Sequence, residues 1–145
     1  MKDPSQEVIT AFYNALNGNL TYSTGGNDID FRVYTSLPES EVRNYVLVSN
    51  VFFTNPTTKD KSILEGTISI EVCSGTFSRQ GRWDGANSIS NQVLQLLVKQ
   101  TLTFSSFTIT VKPFVESIIS QDERQPDGSM RFIKLITLRF GTQEN

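Results

Sequence analysis

The segment from Ile63 to Cys73 leaves little choice of backbone. Leu64, Ile68, Ile70 and Val72 share one parity, and Glu65, Ser69 and Glu71 share the other. Side chains alternate across a strand, so this pattern is a strand with one apolar and one wet face. Tyr45 to Thr54 precedes it and carries Val46, Leu47, Val48, Val51, Phe52 and Phe53. So continuous an apolar run predicts a strand buried on both faces, with Phe52 in the core. The polar stretch Asn55-Pro56-Thr57-Thr58-Lys59-Asp60-Lys61 lies between the two runs and joins them as a long antiparallel hairpin.

The flanking segments supply the other layer. Asp3 is placed to cap a helix, Pro4 suits its first position, and Gln6 follows at capping-box spacing. Ile9, Phe12, Tyr13 and Leu16 then recur on a 3.6-residue period, and Asn17-Gly18 ends the helix. Asn19 to Asp28 reads as a loop containing Gly25-Gly26, with room for a short strand at Leu20 to Tyr22. Ile29, Phe31 and Val33 alternate as a short strand that Ser36-Leu37-Pro38 stops.

After the polar loop Ser74 to Gly85, Ala86, Ile89, Val93, Leu96 and Leu97 predict a second helix running to Lys99, with Asp84 as its cap. Phe107 to Val111 alternates, Pro113 breaks or kinks the run, and Phe114 to Ile119 continues it around a bulge. Gln125-Pro126-Asp127-Gly128 is a turn. The closing strand, Met130 to Phe140, puts Met130, Phe132, Ile136, Leu138 and Phe140 on one face; Ile133 and Leu135 make the other partly apolar, which suits a central strand or an outer face used by a partner. Residues 141–145 form a polar tail expected to fray. The expectation is a single α+β domain over residues 1–145. Its antiparallel sheet has four to five strands with two helices packed on it, in the order α-β-β-β-α-β-β.

The chain is 145 residues long, which suits one domain able to bury roughly 70% of its unfolded surface. Its net charge is −2, from 13 basic and 15 acidic residues, a balance that argues against a dedicated duplex-binding protein. Cys73 is the one cysteine; it lies in the alternating strand and reads as a buried structural thiol. There is no secretory h-region and no apolar run near the roughly 20 residues that span a bilayer, so no membrane partner is expected.

Histidine is absent, which removes the commonest general base and the commonest transition-metal ligand. One cysteine cannot build a CxxC-type zinc site, and Gly25-Gly26 lacks the Lys-Ser/Thr of a phosphate loop. The expectation is therefore no enzymatic activity, no cofactor and no metal.

Two sets of polar residues remain. Asp28 and Asp30 share parity near a strand start, and Glu39 and Glu41 flank Ser40; their simplest role is to solvate a strand edge and a turn. Lys59 and Lys61 occupy the hairpin loop, while Arg79 and Arg82 flank Gly81 beside Trp83. Arg and Trp are favoured anchors of protein interfaces, so Lys59, Lys61, Arg79, Arg82 and Trp83 are the candidate subunit or partner contacts.

The stretches Val8 to Leu16, Phe31-Arg32-Val33-Tyr34 with Leu37-Pro38, Tyr45-Val46-Leu47-Val48, Gly66 to Ser78, Ala86 to Leu97 and Asp127-Gly128 before Met130 to Phe140 follow one another in a recognisable order. In that order the chain resembles the tail terminator, or tail completion, proteins of tailed bacteriophages. The longer loops Asn19 to Asp28 and Thr54 to Ser62 depart from that pattern. The resemblance implies a virion protein, made in the bacterial host cytoplasm. It implies a homo-oligomeric ring of six or twelve subunits at the neck or upper end of the tail. Such a ring caps the tail or joins the head connector to it, and genome DNA passes through without sequence-specific binding.

Two other function classes are open on the residues alone. A small ligand-binding module or enzyme would draw on Asp28, Asp30 and Arg32, converging on a pocket. A nucleic-acid-binding domain would use Lys59, Lys61, Arg79 and Arg82, with steep salt dependence.

Overall fold

Leu64, Ile68, Ile70 and Val72 form the floor of the core, as their alternation requires. The computed structural model describes residues 3–24, 26–39, 42–54, 63–76, 83–99, 102 and 104–145. In chain order the elements are α1 (Ser5–Leu16), β1 (Tyr22–Thr24), β2 (Asn27–Ile29), β3 (Arg32–Tyr34), β4 (Tyr45–Thr54), β5 (Ile63–Thr76), α2 (Asp84–Val98), β6 (Phe107–Arg124) and β7 (Met130–Glu144). The class is α+β, as expected. Two very short strands pair as a separate hairpin: β1, beside the Leu20 to Tyr22 strand that the loop left room for, and β2, which takes Ile29 out of the strand read through Ile29, Phe31 and Val33.

The main sheet has five strands in the order β3-β4-β5-β7-β6. It is mixed, which corrects the expected all-antiparallel sheet: β3 runs parallel to β4, with Arg32, Val33 and Tyr34 opposite Tyr45, Val46 and Leu47. The remaining neighbours are antiparallel. Both helices lie on one face. Val8, Phe12 and Leu16 of α1 and Ile89, Val93 and Leu97 of α2 join Val46, Val48, Ile68, Ile136 and Leu138 in one cluster.

Helix α1 begins one residue later than read: Pro4 holds the cap position and Ser5 is the first helical residue. The Ser5 amide donates to Asp3 Oδ1 at 2.9 Å, and the Val8 amide donates to the Pro4 carbonyl. Gln6 does not reach back to close a capping box; its amide contacts Thr10 Oγ1 instead. At the other end Gly18 takes φ +78°, the left-handed conformation that terminates the helix. Asp84 is the first residue of α2 and not its cap, a place taken by Trp83.

One bulge rearranges β4. Asn50 has φ +54°, and the register with β5 shifts between Ser49 and Phe52. Asparagine tolerates this left-handed conformation better than most residues. The extra residue reverses the parity beyond it, so Phe53 turns into the core and Phe52 turns out. Phe52 is 62% exposed, which corrects its reading as a core residue. Leu96 of α2, also read as core, packs partly buried against the main cluster.

The C-terminal segment is not a frayed tail. Strand β7 continues to Glu144, with Gln143 between Ile63 of β5 and Thr108 of β6, and Gly141 and Thr142 are buried. The Asn145 amide donates to the Ser106 carbonyl. Polar sequence here reflects strand pairing on both sides, not fraying.

Candidate subunit interface

The strand edges and the helix-free face are where the chain departs from a closed core. On the helix-free face Tyr45, Cys73 and Ile133 form a small buried cluster, backed by Tyr34, Val42 and Leu47. The Tyr45 hydroxyl donates to Glu71 Oε2 at 2.7 Å. Burial, and then this hydrogen bond, hold the Tyr45 phenol well above its ordinary pKa. Burial also pushes the Cys73 thiol up to about 11. Cys73 is thus the inert structural thiol expected, since the nucleophilic form of cysteine is the thiolate.

Strand β6 is different. It lies at the edge of the sheet, and Val111, Phe114, Val115, Ile118 and Ile119 all remain at least 39% exposed. Ile118 lies opposite Ile136 on the helix side, and Ile119 lies opposite Leu135 on the helix-free side. The apolar doublets therefore place one exposed side chain on each face. The register with β7 shifts three times between Ile109 and Ser117, then runs regularly from Ser117 to Arg124. Arg139 bridges to Glu116 at 3.6 Å across the irregular part.

Long, apolar edge strands template pairing with other chains, and proteins that stay single usually blunt them. Sequence reasoning placed the interface on loops and on the second face of the last strand. Part of that second face, Ile133, is covered within the chain. The sequence did carry a signal for β6: Pro113 is a residue confined to edge strands and bulges, and Phe114-Val115 and Ile118-Ile119 are doublets that one buried face cannot absorb.

Of the predicted contact residues, Lys59, Lys61, Arg79 and Arg82 lie outside the described residues. Trp83 is half-buried. Its ring meets Phe132 edge-on at 4.8 Å, and Lys134 Nζ lies 5.8 Å from its centroid. Part of its surface is therefore spent on its own domain.

The polar candidates do not all gather in one hollow. Asp28 and Asp30 are exposed on the rim of an open hollow of about 600 Å³ that Leu20, Tyr22 and Ser88 also line. Asp30 also lines a second hollow, with Arg32, Tyr34, Val42 and Asn44, so Asp28 and Arg32 do not share one. Glu39 is exposed, and Glu41 lies outside the described residues. Among the described residues, no group of three His, Cys, Asp or Glu side chains gathers as a metal site would need. A further groove of about 570 Å³ opens between α1 and β3, lined by Ile9, Thr10, Tyr13 and Val33.

This fold has a solved counterpart. A chain in the virion of a native gene transfer agent particle superposes with a TM-score of 0.68 and 17% identity, over 100% of both chains. At that identity the likeness is one of fold. No protein-family model matches the sequence, and no curated protein matches it.

Proposed function

We propose that this chain is a structural subunit of a phage-like virion, forming a ring at the neck or upper end of the tail. The ring caps the tail or joins the head connector to it, and its role is architectural, not catalytic. The observation that carries this reading is the full-length likeness of fold to a chain of the gene transfer agent virion. The uncovered edge strand β6 supports it, because such a strand suits a subunit completed by its neighbours. Closed rings need heterologous contacts, in which one surface meets a different surface of the next copy.

The test is the mass of the purified chain by light scattering over a concentration series, alone and with purified tails or connectors. A closed oligomer of about six or twelve copies, alone or templated by those partners, is the expected result. A monomer throughout, with no binding to either partner, sinks the proposal.

A further inference from the structure

The two edges of the main sheet are β3 and β6. They lie at the same level along the strand direction. Tyr34 is opposite Leu47, Leu47 opposite Glu71, Glu71 opposite Leu135, and Leu135 opposite Ile119. In the same way Arg32 is tied through Tyr45, Cys73 and Ile133 to Gln121. The level that β3 occupies is thus the level of Ser117 to Arg124, where β6 is regular.

The edges also run in opposite directions. Strand β3 is parallel to β4, and the three remaining steps to β6 are antiparallel. A second copy set beside the first, with its helices on the same side, therefore presents β3 antiparallel to β6 without being turned over. On the basis of these edges, and resting on the ring reading above, we infer that β6 of one subunit adds to β3 of the next, joining their sheets edge to edge.

The side chains fit that placement. With the levels kept, Tyr34 of the incoming copy lies across from Ile119 and Arg32 lies across from Gln121. Exposed Arg32 is then the diagonal neighbour of exposed Glu123, close enough for an ion pair. On the helix side Ile118 comes next to the groove between α1 and β3, lined by Ile9, Tyr13 and Val33. The groove and the strand are at opposite ends of one molecule, so each copy uses both and the contact repeats around an axis. Strand addition of this kind gains main-chain hydrogen bonds from the edge and specificity from alternate side chains. Antiparallel pairing of β6 with a second β6, centred on its regular segment, is a poorer fit. It sets Ile118 against Glu123 and Ile119 against Asp122.

Cross-linking tests the contact. Tyr34 and Ile119 of one chain are separated by four strand spacings, roughly 19 Å, far beyond the roughly 7 Å limit between Cα atoms of a disulfide. Any disulfide between Tyr34→Cys and Ile119→Cys must therefore join two copies. The double variant is oxidised and run on a denaturing gel beside the unsubstituted chain, which controls for buried Cys73, and a Tyr34→Cys/Asp122→Cys variant, whose second site is on the other face. Light scattering of the unsubstituted chain is measured in parallel.

A ladder of covalent multimers in the Tyr34→Cys/Ile119→Cys variant alone, lost on reduction, is the expected result. An equal ladder in the Asp122→Cys control reports random collision and overturns the inference. Closed oligomers without any ladder also overturn it, while leaving the ring reading standing. Neither oligomers nor ladder, with purified tails or connectors also present, removes both.

Discussion

Gly66 lies directly beneath the ring of Phe140: a Cβ at residue 66 would come within 2.6 Å of Phe140 Cζ and 2.8 Å of Phe53 Cε1. The two rings meet edge-on at 5.8 Å, and Phe12 of α1 packs on Phe140 at 5.5 Å. A missing side chain on β5 is thus the space in which three aromatics pack. Gly→Ala at a compatible strand position would stabilise by about 0.4–1 kcal/mol through the unfolded chain. Overpacking here costs about 1–3 kcal/mol and should win. Gly66→Ala is expected to lower the urea midpoint, and Gly66→Val to lower it further. An unchanged midpoint in both would mean that the rings have room to retreat.

The bulge at Asn50 gives a second, opposed pair. Phe52 and Phe12 are the same residue type, but Phe52 is 62% exposed and Phe12 is fully buried. Phe12→Ala should cost about 3–5 kcal/mol. Phe52→Ala should stay within about 0.5 kcal/mol of the parent. Chemical denaturation of the two variants checks this, and similar losses in both would place Phe52 back in a core.

These two residues also show what a sequence can and cannot carry. Leu64, Ile68, Ile70 and Val72 announce their strand and its buried face because parity is a local property. Ser49-Asn50 is a polar pair inside an apolar run, and nothing local marks Asn50 as the point where parity reverses. The direction of β3 is equally silent: Arg32-Val33-Tyr34 reads the same in a parallel or an antiparallel pair. The end of β7 was misread for a related reason. Gly141 to Glu144 is polar, but its order comes from β5 on one side and β6 on the other. For the candidate interface, Trp83 and its basic neighbours were legible as residue types. That β6 lies at an edge follows from the strand order, which only the tertiary arrangement supplies.

Thr142 offers a cleaner core test. It is fully buried, and its Oγ1 has no hydrogen-bond partner among the described residues. A buried polar group left unpaired costs about 1–3 kcal/mol, whereas an apolar group of the same shape does not. Thr142→Val should therefore raise stability by about 1 kcal/mol. A loss of stability in thermal melts would show that the hydroxyl is satisfied.

The helix-free face predicts a response to alkali. Burial raises the Tyr45 phenol above its ordinary 10.0, and raises the Cys73 thiol from 9.0 to about 11. Both groups are held neutral by the fold, so the unfolded chain releases their protons first as pH rises. Their contribution is complete below pH 9.0 and falls as pH climbs through about 11. Urea midpoints at about pH 8 and about pH 10.5 should differ in the parent. The difference should shrink in Tyr45→Phe and shrink further when Cys73→Ala is added. If the combined variant loses stability with alkali as steeply as the parent, these two groups are not the cause.

The edge strand makes the prediction that separates folding from assembly. Ile119 is 52% exposed, so Ile119→Lys removes little buried surface, and its effect on the fold should stay within about 0.5 kcal/mol. A lysine on an open edge is, however, a common device by which single-chain proteins refuse strand addition. If β6 is completed by a neighbour, the same substitution places a charge inside a subunit contact. A loss there of about 1.4 kcal/mol weakens association tenfold. Gln95→Lys, on an exposed position of α2, adds the same charge away from either sheet edge. Thermal melts of both variants should match the parent, and only Ile119→Lys should shift the light-scattering midpoint to higher concentration. Equal shifts in the two variants would assign the effect to net charge, and a destabilised Ile119→Lys would mean that β6 is held by its own domain more tightly than its exposure implies.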